Sequence, residues 1–186
     1  MSNKIIIHID GVQGSGKSYI CSKLKNILCV DTDDIMKKGI QIIENSQKTN
    51  KKMPRTFKQL QIIKSKIVEK LLKNNNKIVF VGMTVNIPNP TYKFFIKLTN
   101  LPDIYKRLQL RELDKIYNNY KKIKSHIIKE QNPNEIEVQR IADMSLVFPV
   151  SYSAFLNDYK QRISKVKKKH YLLKTQDQII NIINSL

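Results

Sequence analysis

The sequence predicts an α/β fold around a parallel sheet of about five strands. Three observations carry that reading. Short apolar runs alternate with amphipathic stretches along the chain, the pattern of strand–helix–strand units. A glycine-rich turn at residues 11–18 joins the first apolar run to the first helical stretch. The second run ends in the carboxylates Asp31, Asp33 and Asp34, at the strand end where open parallel sheets gather ligands.

Each element has its own signal. Ile5, Ile6, Ile7 and Ile9 stop at Asp10-Gly11 and predict a buried parallel strand. Ile20, Leu24 and Ile27 at helical spacing predict a helix from Lys17 to Asn26. Ile27 to Val30 is a short strand that stops at Asp31, and Ile35 to Ile43 is a helix. Asn45 to Pro54 is polar and reads as a loop. Phe57 to Leu72 carries Leu60, Ile63, Ile67 and Leu71 on one stripe and is an amphipathic helix ended by Asn74, Asn75 and Asn76.

Lys77 to Gly82 and Tyr92 to Leu98 are strands separated by a loop with Pro88 and Pro90. Pro102 suits the first turn of a helix opening at Leu101. Arg111 to Glu130 reads as a long charged helix, Asn132-Pro133-Asn134 breaks it, and Glu135 to Met144 is a further helix. Tyr171 to Leu173 is the last strand, and Gln176 to Ile183 the last helix. The basic run Lys165 to Lys169 reads as a solvated surface, and His8, inside the first strand, as structural.

Composition bounds the class. The chain has 186 residues, 41% of them hydrophobic, which suits one domain over 1–186 with a real core and argues against disorder. Mean hydropathy is -0.39, and no apolar run approaches the roughly 18 residues of a membrane span. The N-terminal residues read as a strand, not as a signal peptide, so a cytoplasmic protein without a membrane partner, monomer or homodimer, is the default expectation. Cys21 and Cys29 have neither disulfide-framework nor metal-ligand spacing, and read as buried thiols in a reducing compartment. The net charge is +19, from 34 basic and 15 acidic residues, which suits an anionic partner, nucleic acid included. The joint excess of Lys, Ile and Asn also fits an AT-rich coding sequence. The few arginines, Arg55, Arg107, Arg111, Arg140 and Arg162, therefore say more than the lysines.

Gly11-Val12-Gln13-Gly14-Ser15-Gly16-Lys17-Ser18 satisfies every fixed position of G-x-x-x-x-G-K-[ST]. Gly11, Gly14 and Gly16 let the backbone, with Gln13 and Ser15 between them, turn its N–H groups inward around phosphate oxygens. Lys17 would reach the β- and γ-phosphates of ATP or another NTP, and the Ser18 hydroxyl would ligate Mg²⁺. No N-K-x-D sequence and no Asp-Glu pair at a strand end accompanies the loop, which turns the reading away from switches and motors.

Asp31 and Asp33 would face the same crevice. One could hold Mg²⁺ and the other accept the proton of an attacking hydroxyl; helix capping by Asp33 or Asp34 is the other reading. With Asp31-Thr32-Asp33 behind a phosphate loop, the chain resembles the small P-loop kinases, the superfamily of shikimate kinase, adenylate kinase and other nucleoside monophosphate kinases. The resemblance implies a P-loop NTPase-type three-layer sandwich with a helical lid insertion. The lid would span about residues 107–145 and an acceptor-binding flap about 35–75. It also implies Asp31 near Mg²⁺ and Asp33 at the acceptor hydroxyl. Arg107 and Arg111, four apart on one helix face, resemble lid-entry arginines. Arg107 would then touch the nucleotide and Arg111 the migrating phosphoryl group, with Arg140 a weaker returning lid arginine.

The chain departs from the family after the third strand. Val81-Gly82-Met83-Thr84-Val85-Asn86 has neither the D-G-x-P-R of nucleoside monophosphate kinases nor the glycine triplet of shikimate kinases. Gly82 remains as a possible acceptor contact, and Arg55, with Lys51 and Lys52, falls in the flap region. The expectation is an ATP- and Mg²⁺-dependent phosphotransferase acting on a small acceptor, a nucleotide or nucleoside first. A polynucleotide 5′-hydroxyl kinase and a regulatory nucleotide-binding protein with slow ATPase activity are the alternatives.

Overall fold

The computed structural model describes residues 4–48, 56–129 and 151–186. Its centre is a five-stranded, all-parallel sheet. The strands are β1 (Ile5–Asp10), β2 (Leu28–Asp31), β3 (Lys77–Val81), β4 (Tyr92–Ile96) and β5 (Leu172–Lys174), in the spatial order β2-β3-β1-β4-β5. β1 pairs with β3 from Ile5↔Lys77 to Ile9↔Val81, and with β4 from Ile7↔Tyr92 to Asp10↔Phe95. A central parallel strand is buried on both faces, which is why β1 and β3 are continuous apolar runs rather than alternating ones.

Helices supply the cover. α1 (Lys17–Lys23) follows the glycine-rich turn, and α2 (Thr32–Lys48) follows β2 directly. α3 (Phe57–Asn74) packs against α2. Ile35 of α2 and Val68 of α3 join Ile6, Ile78, Phe80, Val85 and Ile87 in one buried cluster. Ile7, Ile9, Val79 and Val81 alternate with that set along the strands and are fully buried too, so the sheet is covered on both faces. α4 (Leu101–Lys129) and α5 (Tyr152–Lys168) lie between β4 and β5 in sequence, and α6 (Gln176–Ser185) closes the chain against α1. Each buried Ile or Phe contributes about 1.5–3 kcal/mol relative to exposure.

The described chain parses into two compact units. Met1–Thr99 with Ile163–Leu186 forms one, and Asn100–Arg162 the other. The first holds the whole sheet. In the second, Tyr105 packs against Tyr152 and Phe155 at ring-centroid distances of 5.2 and 5.7 Å. No helix among the described residues is long and apolar enough to cross a membrane.

Several boundaries differ from the sequence reading. α2 begins at Thr32, not Ile35, because the Asp31 carboxylate accepts the Asp33 N–H at 2.9 Å and starts the helix. It runs on through Asn45 to Lys48, where a loop was expected, because no Gly or Pro stops it. The helix expected to begin at Arg111 is the continuation of the one that opens at Leu101. α5 was not expected as a helix at all. The helix expected at Glu135 to Met144 lies outside the described residues.

The first helix is shorter than expected, and its end corrects the reading of the cysteines. α1 stops at Lys23, Leu24 turns extended, and Asn26 adopts φ 54°. The chain thus doubles back and brings the Cα atoms of Cys21 and Cys29 to 5.5 Å, where they form a disulfide. They are half-buried and bonded, not buried thiols. Reduction of this short loop is expected to lower stability by about 2 kcal/mol. Urea unfolding with and without a reductant, and of Cys21→Ser, checks this; coincident curves would count against it.

Candidate functional site

The glycine-rich loop sits where β1 hands over to α1. The Asp10 carboxylate accepts the Gly11 N–H at 2.6 Å as the strand ends, and Ser15 N–H donates to the Val12 carbonyl at 3.2 Å to close the turn. Gly14 and Gly16 take φ 76° and 82°, a region that disfavours every residue with a Cβ. Gly16 is the N-cap of α1 and makes no side-chain cap bond, so no cap side chain occupies the first amides of the helix. No acidic residue lies in that first turn to repel an anion.

Lys17 folds over this loop. Its Nζ donates to the Gly11 and Val12 carbonyls at 2.8 and 3.1 Å, which holds a cation directly above the turn. Ser18 is exposed beside it, and Gln13 and Gly14 are exposed at the loop's crest. Ser15 is fully buried, and its hydroxyl has no hydrogen-bond partner among the described residues. Glycines at positive φ, a helix start with no capping side chain and the Lys17 ammonium over the turn suit a loop that receives phosphate oxygens.

One supporting residue escaped the sequence reading. Gln176, at the start of α6, donates its side-chain amide N–H to the Ser15 carbonyl at 2.5 Å. A Cβ at Gly16 would collide with that same amide. The local signal was legible only as a helix start, since Thr175 and Gln178 form a capping box. A contact across 161 residues leaves no local mark.

The carboxylates of the second strand gather beside the end of β3. Asp31 is half-buried, and Asp33 and Asp34 are exposed in the first turn of α2. Asp34 pairs with Lys37 at 3.0 Å, and that hydrogen bond and charge push the exposed lysine's pKa up. The capping role expected for Asp33 or Asp34 falls on Asp31. Gly82, at φ 108°, passes so close to Thr32 that a Cβ there would strike the Thr32 hydroxyl, with Asp31 Oδ1 at 3.5 Å from the same point. The Thr84 N–H donates to that hydroxyl at 3.3 Å. Among the described residues no three His, Cys, Asp or Glu side chains cluster as a metal cage. Ser18 and Asp31 are the residues that could help hold a Mg²⁺, which ordinarily takes one or two protein oxygens together with substrate phosphates and water.

His8 ties this corner to the sheet. Its Nε2 bonds the Gly82 carbonyl at 2.7 Å, so Nε2 carries the proton, and Nδ1 accepts the Tyr171 hydroxyl at 2.8 Å. Burial holds the imidazole below its usual 6.5 and pushes the Tyr171 phenol up to about 12. The unfolded chain therefore takes up a proton at His8 near pH 6.5, while the folded chain resists until lower pH. The stabilisation from neutral His8 is complete above about pH 6.5 and is lost as pH falls through the lower folded value. The melting temperature is expected to drop between about pH 7 and pH 5.5, before most carboxylates titrate, and His8→Gln to flatten that slope. A slope that survives in the variant would remove His8 as its source.

The remaining candidates fall elsewhere in the sequence. Arg107 and Arg111 belong to the second unit, on α4. Arg107 Nε donates to the Asp103 carbonyl at 3.4 Å. Arg111 pairs with Glu112 at 3.3 Å, and Lys115 pairs with the same carboxylate at 2.6 Å. The Lys115 hydrogen bond, with the smaller effect of Arg111, holds Glu112 below the usual carboxylate range. Arg55, Lys51, Lys52 and Arg140 lie outside the described residues.

No protein-family model matches the chain, and no curated protein matches it.

Proposed function

We propose that the chain is a phosphotransferase that moves the γ-phosphoryl group of ATP to a small acceptor, with a nucleotide or nucleoside as the first candidate. One observation carries the proposal: a complete G-x-x-x-x-G-K-S loop between a central parallel strand and a helix, with Lys17 held over its carbonyls at 2.8 and 3.1 Å. In this reading the fold is a P-loop NTPase-type sandwich. The amides of residues 13–18 and the Lys17 ammonium bind the β- and γ-phosphates. Ser18 and Asp31 would hold Mg²⁺, which supplies neutralisation of phosphate charge. Asp33, exposed beside Asp31, orients or deprotonates the acceptor hydroxyl. Arg107 and Arg111 would act as lid cations that close over the migrating group, and Arg55 and Gly82 would contact the acceptor. Positioning and electrostatics supply most of the rate.

The net charge of +19 favours one second reading, a kinase of polynucleotide 5′-hydroxyls, with salt-sensitive binding of oligonucleotides. The test is ADP production from Mg-ATP with nucleoside monophosphates, nucleosides, shikimate, gluconate and a 5′-hydroxyl oligonucleotide. A large rise with one class, lost in Lys17→Ala, supports the proposal and selects the acceptor. Tight ATP binding with no acceleration by any of them would point instead to a regulatory nucleotide-binding protein.

A further inference from the structure

From the buried cation Lys64, bonded to the Thr84 carbonyl in the loop after β3, and the unpartnered hydroxyl of the same Thr84, we infer that the acceptor carries an anionic group, phosphate or carboxylate, and that these two residues hold it. The inference rests on the phosphotransferase reading for the word acceptor; the anion site stands on its own observations.

Lys64 belongs to α3 and is only 3% exposed. Its Nζ donates to the Thr84 carbonyl at 2.7 Å. Among the described residues no carboxylate pairs with it, so two of its three N–H donors have no protein acceptor. A buried ammonium without a counter-ion is costly, and a bound anion offsets that cost. Burial lowers the Lys64 pKa, and an anion beside it would raise the pKa again.

Thr84 supplies the second observation. Its hydroxyl is buried and has no hydrogen-bond partner among the described residues. Its backbone is occupied, by Thr32 Oγ1 on the N–H and by Lys64 on the carbonyl. That leaves one hydroxyl and the spare ammonium donors on the same residue pair.

The placement is built into the helix pair. Gly39 of α2 is buried, and a Cβ there would stand 2.9 Å from Leu60 Cδ1 and 3.6 Å from Lys64 Cγ. The missing side chain lets α3 approach α2 closely enough for the Lys64 stem to pass and its head to reach the loop after β3. That loop lacks any arginine, and the cation arrives from α3 instead.

The experiment uses acceptor pairs that share one accepting hydroxyl and differ in the anion: nucleosides against their 3′-monophosphates, which keep the same 5′-hydroxyl, and shikimate against its methyl ester. Transfer is expected only to the charged member. Lys64→Met, which keeps the stem, and Thr84→Val are each expected to raise its KM about tenfold or more, as for lost hydrogen bonds to a charged group. ATP affinity should stay near wild type, and Lys64→Arg should recover part of the loss. Equal transfer to the neutral member, or an unchanged KM in both variants, overturns the inference. In parallel, the side-chain ¹³Cε signal of Lys64, assigned with Lys64→Met, is followed while inorganic phosphate or acetate is added to the full chain. A saturable shift supports the site and names the preferred anion, whether or not any acceptor turns over; no shift with either overturns it. Loss of ATP binding altogether would instead fail the phosphotransferase reading, and the titration would still decide the anion site.

Discussion

Lys17→Ala is expected to weaken Mg-ATP binding at least tenfold and to cut phosphoryl transfer by about 10²–10³, the usual effect of removing one preorganised charge donor. The fold should survive. Lys17 bonds the Gly11 and Val12 carbonyls, and its side chain is half-exposed at the crest of the loop, so water can replace it there. What water cannot replace is a fixed positive charge beside a helix start that no side chain caps. The loop itself is held independently, by the Asp10–Gly11 and Ser15–Val12 bonds and by the Gln176 amide on the Ser15 carbonyl. Calorimetric titration of Mg-ATP and an ADP-release assay check the prediction. A variant that bound ATP like wild type, with an unchanged melting temperature, would separate this loop from phosphate binding and remove the basis of the proposed function.

The parts of this molecule that sequence made legible share a physical property: their determinants are local. Ile5 to Ile9 and Lys77 to Val81 are strands because consecutive apolar residues suit a sheet buried on both faces. The glycine-rich loop is legible because its φ values at Gly14 and Gly16 demand glycine wherever they occur. The illegible parts depend on where distant segments meet. The Cys21–Cys29 disulfide needed the early end of α1, which the helical spacing of Ile20, Leu24 and Ile27 concealed. Gln176 on Ser15, Tyr171 on His8 and Lys64 on Thr84 are each separated by 20 residues or more. Each involves a polar side chain whose local context would fit equally well on a solvated surface. Lys64 shows this best: on α3 it stands among other lysines at similar spacing, and only the close approach of Gly39 makes it buried.

Gly82→Ala is expected to cost about 2–4 kcal/mol, combining backbone strain with a steric conflict. The φ of 108° lies beyond the left-handed well that other residues occasionally occupy. The new methyl would also meet the Thr32 hydroxyl, which is buried and already accepts the Thr84 N–H. Neither backbone group can move away at no cost, because the Gly82 N–H donates to the Ile9 carbonyl at 2.9 Å and its carbonyl is held by His8 at 2.7 Å. Relief must therefore come from Thr32, and Thr32 is the residue that follows Asp31 into α2. The variant should lose stability and, in whatever remains folded, shift Asp31 and the Lys64–Thr84 contact together. Gly39→Ala is the control. Its methyl meets Leu60 Cδ1, the end of a flexible side chain, in ordinary helical backbone, so it should cost less than half as much. Urea unfolding of the two variants beside wild type reads the difference directly. If Gly82→Ala proved no worse than Gly39→Ala, the turn after β3 would be free to adjust. The rigid corner that joins Asp31, Gly82 and Thr84 would then no longer explain why glycine stands at position 82.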